Sequence, residues 1–320
     1  MSSNVINLHI GNHNVSSISD FIEFLSIEIN DAGLRPVITH QLLPKLKNIV
    51  IENFNEDLNK NIKELFSKND PRLIMVATEI VQDGVLNSAA PGEGEMVDGW
   101  YDKNASYWVE RSKYFSDIVD YFGVIVCVSE EIYKSLKTMN LKATLVYWSP
   151  KFTNFFDESL LNRDKFNEAW LSRNARKAIK THKFFYSGSP TPYRSEQIEH
   201  LQSLGQSVLH CPPTATDTVR CALSKQTKFT FGPRHYRSTV QLSKMRLYWC
   251  LNNLFPVIME RCPASTDLDN YCIFYESVEE LLDFERDIGA SYQTCMDKNY
   301  SFMIETYRNS SLFNAPVFNQ

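Results

Sequence analysis

The feature that most constrains this chain is a rhythm. Short runs of β-branched and aromatic residues alternate with amphipathic stretches, and the series runs through once and then starts again. In the first series, residues 5–10, 36–39, 48–52, 73–78, 123–128 and 143–148 read as strands. Residues 19–32, 58–68, 105–121 and 129–139 carry helical spacing between them. Ser19 and Ser129 stand where a helix wants an N-cap oxygen, and Gly33 where a left-handed residue closes one. The second series places strands at 183–187, 207–211, 229–231, 256–259 and 272–275, with helices at 194–204, 217–224, 243–252 and 278–288. Such alternation builds parallel sheets with crossover helices. The expected fold class is therefore α/β: two Rossmann-like domains whose parallel sheets face an interdomain cleft. The expected boundaries are 1–155, a connecting helix over 156–181, and 182–320.

A chain of 320 residues is long enough for two cores of ordinary size. Its formal net charge of −5 and pI of about 5.9 leave no global field to attract nucleic acid. The connecting segment is the local exception, with Arg163, Lys165, Arg173, Arg176, Lys177 and Lys180. It reads either as a solvated helix or as a face suited to peripheral contact with an anionic membrane. The seven cysteines are scattered and none forms CxxC, which argues for reduced, buried thiols rather than a disulfide framework or zinc site. The N-terminus lacks the basic and apolar regions of a signal peptide, and no apolar run approaches the roughly 20 residues of a membrane helix. A cytoplasmic location is expected.

In open parallel sheets, ligands bind beyond the carboxyl ends of the strands, so the loops there are where chemistry is sought. After the first strand of the second series comes Gly188, then Ser189, then Arg194 at the next helix start. The following rich stretch holds Arg234, His235, Arg237, Ser243, Lys244 and Arg246, with Glu260 just beyond the next strand. Cations around a helix N-terminus suit a pyrophosphate, because free N–H groups and the helix dipole favour negative charge. In the first half, His13 follows the first strand, and Glu52 and Glu79 end two others. Each can serve as a general base toward a hydroxyl, or, for the carboxylates, as a nucleophile. Glu52 and Glu79 can equally be structural partners of Lys47 or Arg72. Glu93 and Glu95 lie in a loop over 89–98. His9, His40, His182, His200 and His210 show no metal-ligand spacing. G-x-S-x-G, the P-loop and G-x-G-x-x-G are all missing, against a serine hydrolase, an NTPase and an ordinary dehydrogenase.

The stretch SKMRLYWCLNNLFPVIMERC resembles the donor-binding region of GT-B glycosyltransferases, in which an Arg-containing helix leads to a Pro-Val-Ile strand. FFYSGSPTPYR is similar to the first strand and glycine turn of the same domain, and VCVSEEIYKSLK to the last strand–helix unit of the acceptor domain. The resemblance implies a nucleotide-sugar donor held by the second half, a glycan or lipid-linked glycan acceptor on the first, and no cofactor or metal. The ribose-binding Glu of many such families has no counterpart; Trp249 or a neighbour stands there, and either Glu260 substitutes or the nucleotide is held differently. Asp267-Leu268-Asp269 spells the metal-binding DxD of a different glycosyltransferase fold. The implied activity is metal-independent sugar transfer, as in polysaccharide biosynthesis. The rival readings are a nucleotide-sugar epimerase of the same architecture, a non-catalytic two-lobed sugar or nucleotide binder, and a degenerate scaffold.

Overall fold

The computed structural model describes residues 4–12, 18–51, 54–79, 81–82, 85–86, 105–148, 158–174, 181–242, 244–264 and 266–308. The chain divides into two compact units, described separately.

In the first unit, strands β1 (Val5–His9), β2 (Arg35–Thr39), β3 (Lys47–Ile51) and β4 (Asp70–Ala77) are joined by a two-strand ribbon, β5 (Val81–Gln82) and β6 (Val85–Leu86). Then come β7 (Phe122–Cys127) and β8 (Thr144–Tyr147). Six of these form one parallel sheet in the order β2-β1-β3-β4-β7-β8. Its inner strands carry long apolar runs, and every residue of β7 is buried, as a sheet covered on both faces requires. The helices are α1 (Ser19–Asp31), α2 (Glu56–Leu65), α3 (Ala105–Ile118) and α4 (Glu130–Lys137). Ser129 caps α4, its side chain accepting from the Ile132 N–H at 3.2 Å. Ser19 does not cap α1; it is the first helical residue, and the capping position falls to Ile18, which makes no side-chain bond. Gly33 closes α1 at φ 73°, with Leu34 N–H reaching back to Ile29 O at 3.0 Å, the Schellman pattern.

The connection from β2 to β3 carries no helix, short for a parallel crossover. It is held by amides instead. Asn7 on β1 donates to Gln41 O at 2.9 Å and to Asn48 Oδ1 at 2.8 Å, while Asn48 donates to Leu43 O and Leu46 O. Both asparagines are fully buried, a placement that costs free energy unless every amide group is bonded.

The described part of the second unit opens with a 3-10 turn, Glu158–Leu161, and then α5 (Arg163–Asn174), the core of the expected connecting helix. Strands β9 (His182–Ser187), β10 (Val208–Cys211), β11 (Thr227–Gly232), β12 (Val257–Glu260) and β13 (Ile273–Tyr275) make a parallel sheet ordered β10-β9-β11-β12-β13. Helices α6 (Pro192–Ser203), α7 (Asp217–Ser224), α8 (Lys244–Asn252), α9 (Glu280–Arg286) and α10 (Ile288–Arg308) connect and cover it. Phe184, Phe185, Phe229 and Phe231 are fully buried at its centre; each such side chain contributes about 1.5–3 kcal/mol of burial.

In both units the chain steps from the first strand to one edge and then returns past it. That leaves a topological switch between β1 and β3 and another between β9 and β11, the place where doubly wound sheets open a ligand crevice. No helix among the described residues is long and apolar enough to cross a membrane.

Candidate active site

The second unit's switch point gathers most of the residues expected to hold a donor. β9 ends in Ser187 and runs into Gly188 at φ +146°, a conformation that L side chains rarely adopt. A Cβ here would sit 2.5 Å from Arg246 Nη2 and 3.0 Å from Tyr186 Oη. The turn continues to Thr191, whose Oγ1 caps α6 by accepting from Arg194 N–H at 3.3 Å and itself donates to His235 O at 2.6 Å. Pro192 occupies the first turn of α6, where its missing N–H costs nothing.

Two guanidiniums pack near the Tyr186 ring. Arg194 lies 5.9 Å and Arg246 5.2 Å from its centroid. Arg194 is 3% exposed and spends its donors on carbonyls: Nε on Arg234 O and Nη1 on Ser189 O, both at 3.1 Å. Burial lowers its pKa to about 10, so it remains a cation at neutral pH. Arg246 donates from Nη1 to Pro233 O at 3.4 Å, and its buried Nε has no hydrogen-bond partner among the described residues. Neither guanidinium has a carboxylate ion-pair partner among those residues. Ser189 serves through its carbonyl, which also accepts from Tyr186 Oη at 2.8 Å.

The other cations separate from this pair. Arg234 is bound to the buried carboxylate of Glu260, with its Nε at 2.6 Å from Oε1 and its backbone N–H at 2.8 Å from Oε2. Tyr193 donates its hydroxyl to the same Oε1. Burial and the Glu260 charge raise the Tyr193 pKa to about 12, so the phenol keeps its proton. Arg237 pairs at the surface with Glu196 at 3.0 Å. Lys244 is buried at the first turn of α8, and Ser243 lies outside the described residues. His235 contributes its carbonyl to Thr191 and packs its ring 4.3 Å from that of Tyr236.

Tyr186, Tyr193, Thr191, Tyr275 and His210 belong to this place without having been singled out in the sequence. His210, at the end of the edge strand β10, sets Nε2 at 3.3 Å from Gly188 O. A carbonyl only accepts, so the proton of that bond is on Nε2. Tyr275 Oη is buried with no hydrogen-bond partner among the described residues. The periodicity of YSGSPTPYR would suggest Tyr186 and Tyr193 only to a reader who knew that the strand end and the helix start converge.

Trp249 faces the core. It is 2% exposed, packs on Phe185 and Phe255, and donates from Nε1 to Asp217 at 2.6 Å. Asp267 and Asp269 share a single 3-10 turn toward the amino end of β13, where Asp269 accepts from Thr266 Oγ1 at 2.7 Å.

In the first unit, His13 and Glu52 lie outside the described residues; so do Glu93 and Glu95, which fall in the second. Glu79, just past the end of β4, has Arg111 Nη1 of α3 at 3.9 Å. Arg111 is buried, its guanidinium 5.4 Å from the Trp108 ring. Of the alternative partners, Arg72 is taken by Asp70 at 2.7 Å.

No protein-family model and no curated protein sequence matches the chain. Among solved structures, that of Anabaena Alr3699/HepE in complex with UDP and glucose is similar over 99% of this chain and 98% of its own, at 6% identity and a TM-score of 0.53. The same protein in complex with UDP-glucose aligns over 99% and 97%, at 7% identity and a TM-score of 0.53. A glycosyltransferase from Rickettsia africae ESF-5 aligns over 96% and 95%, at 9% identity and a TM-score of 0.46. At such identity the likeness is one of architecture: the chain has the GT-B fold.

Proposed function

We propose that this chain is a glycosyltransferase that moves a sugar from a nucleoside-diphosphate donor to a hydroxyl of a glycan or lipid-linked glycan. One observation carries the reading. At the second unit's switch point, Arg194 and Arg246 hold two positive charges against the Tyr186 ring with no carboxylate partner among the described residues. Cations kept in such a place favour an anion that arrives with the substrate. The N-terminus of α6 and the Gly188 turn open toward the same spot, which suits a pyrophosphate.

In the transfer step, the bond between the anomeric carbon and the diphosphate oxygen breaks while one to the acceptor oxygen forms. Negative charge grows on the departing diphosphate. Fixed guanidiniums aimed at that charge lower the barrier, and they supply this stabilisation without a metal. The acceptor hydroxyl loses its proton to a base of the first unit, for which Glu79, Glu52 and His13 are the proposed groups. The HepE complexes hold UDP, glucose and UDP-glucose, ligands of the proposed class.

The test is release of nucleoside diphosphate from UDP-glucose and GDP-fucose by the full chain, with glycan acceptors present and with EDTA throughout. Acceptor-dependent release supports transfer. A changed sugar with no acceptor present would mean epimerisation. Activity lost to EDTA and restored by Mn²⁺ would refute the metal-independent step.

A further inference from the structure

Glu260 entered as a substitute ribose contact, yet its carboxylate is already engaged. Oε1 takes the Tyr193 hydroxyl and Arg234 Nε, and Oε2 takes the Arg234 backbone N–H. The side chain is only 4% exposed. The peptide it grips leads onward. Arg234's carbonyl accepts from Arg194 Nε at 3.1 Å, and the next carbonyl, of His235, accepts from Thr191 Oγ1 at 2.6 Å, the residue that caps the helix bearing Arg194. A line of hydrogen bonds thus runs from the end of β12, through the loop after β11, to the first turn of α6. Every link joins groups that are buried or half-buried.

We propose that Glu260 is a positioning residue that never touches the donor: it fixes the Arg234–His235 peptides, and these hold Arg194 where the diphosphate binds. The diphosphate part of this rests on the function proposed above; the link from Glu260 to Arg194 does not. The chemistry explains why an acid stands so close to a site for an anion. Its charge is cancelled by Arg234, whose guanidinium also donates to Arg237 O at 3.0 Å. The net field at the site is left to Arg194 and Arg246. Glu260 supplies geometry, because a carboxylate can accept from a backbone N–H and a guanidinium at once, whereas an amide in its place would present one acceptor and one donor.

Two readouts test this in the full chain, with Glu260→Gln as the near-isosteric variant and Arg234→Lys as a second, in case the first folds poorly. The first readout needs no nucleotide. In ¹⁵N-arginine-labelled protein, the Arg194 Nε–H resonance, assigned by its loss in Arg194→Lys, should exchange slowly with water. It should shift and lose at least tenfold protection in Glu260→Gln, less in Arg234→Lys, and not at all in Arg237→Ala. An unmoved Arg194 resonance in Glu260→Gln would overturn the relay whether or not any nucleotide binds. The second readout is UDP and GDP affinity. Glu260→Gln should weaken the tighter of the two about tenfold in the wild-type background and add almost nothing in Arg194→Ala. Equal losses in both backgrounds would mean that Glu260 acts on the ligand directly, and the proposal fails. Wild-type protein that binds neither nucleotide refutes the proposed function, while the arginine resonance still decides the relay.

Discussion

The two switch points are built to the same plan and furnished differently. In each, the first strand runs into a glycine of positive φ, Gly11 at 54° and Gly188 at 146°. In each, a histidine at the carboxyl end of the neighbouring edge strand holds that glycine's carbonyl: His40 Nδ1, just past β2, lies 2.6 Å from Gly11 O, and His210 Nε2, within β10, 3.3 Å from Gly188 O. Past this point they diverge. The first unit fills the neighbourhood with neutral amides, Asn7 and Asn48, bonded to a crossover loop. The second fills it with two guanidiniums on a tyrosine ring. The shared device shapes the backbone, and the side chains decide what may sit on it.

The largest effect expected is the loss of the cations themselves. Arg194→Ala or Arg246→Ala should weaken UDP or GDP binding by about 1.5–3 kcal/mol, the range for a hydrogen bond to a charged group. Titration calorimetry would check this, and unchanged affinity in both would erase the distinction between the units. Arg194 also carries a pH signature. Its folded pKa, lowered to about 10 by burial, lies below the ordinary guanidinium value of 12.5. Its contribution to stability is therefore full only above the unfolded value, is lost as pH falls through about 10, and is a cost at neutral pH. A bound diphosphate offsets that cost, and its affinity should fall as pH rises through about 10.

Next comes Gly188→Ala. It forces a side chain into a strained backbone and against Arg246 Nη2 at 2.5 Å. The expected cost is about 1–3 kcal/mol of stability, read by denaturant unfolding, together with weaker nucleotide binding. The histidine pair gives a finer test of about 0.5–1.5 kcal/mol each. His210→Ala should lower nucleotide affinity, whereas His40→Ala should leave it unchanged. Equal effects would break the assignment of the donor to the second unit. The smallest change belongs to Arg237→Ala. Its ion pair with Glu196 is 66% and 59% exposed, so less than about 1 kcal/mol is expected in either stability or affinity.

The strands of both sheets were legible because each is a short apolar run between polar breaks. Phe184–Phe185 and Val257–Ile258 leave little room for another reading. Helix α10 was not legible. Its buried stripe includes Ser291, Asn299 and Thr306 alongside Cys295, Met296, Phe302 and Met303, so the hydrophobic period is diluted by small and polar residues. The ribbon β5–β6 is too brief to show a period, although Asp83-Gly84 between its strands is a hairpin signal. The turn that follows helix α8 puts Leu254 at φ 57°, where a glycine would ordinarily mark the stop.

At the site, the sequence shows a group of like cations. It cannot show that Glu260, 26 residues from Arg234, neutralises one of them, or that Arg237 turns outward to Glu196. The pairing that separates Arg194 and Arg246 from the rest exists only once three strand ends meet.

The most direct test of the central claim is a thermal-shift titration of the full chain with UDP, GDP, CDP, ADP and dTDP, each beside its nucleoside. A ligand that binds only the folded state must stabilise it. A rise in melting temperature with one or more diphosphates, absent with the matching nucleosides and abolished in Arg246→Ala, is the expected result. No rise with any diphosphate at millimolar concentration, or a rise that survives in Arg246→Ala, would contradict it.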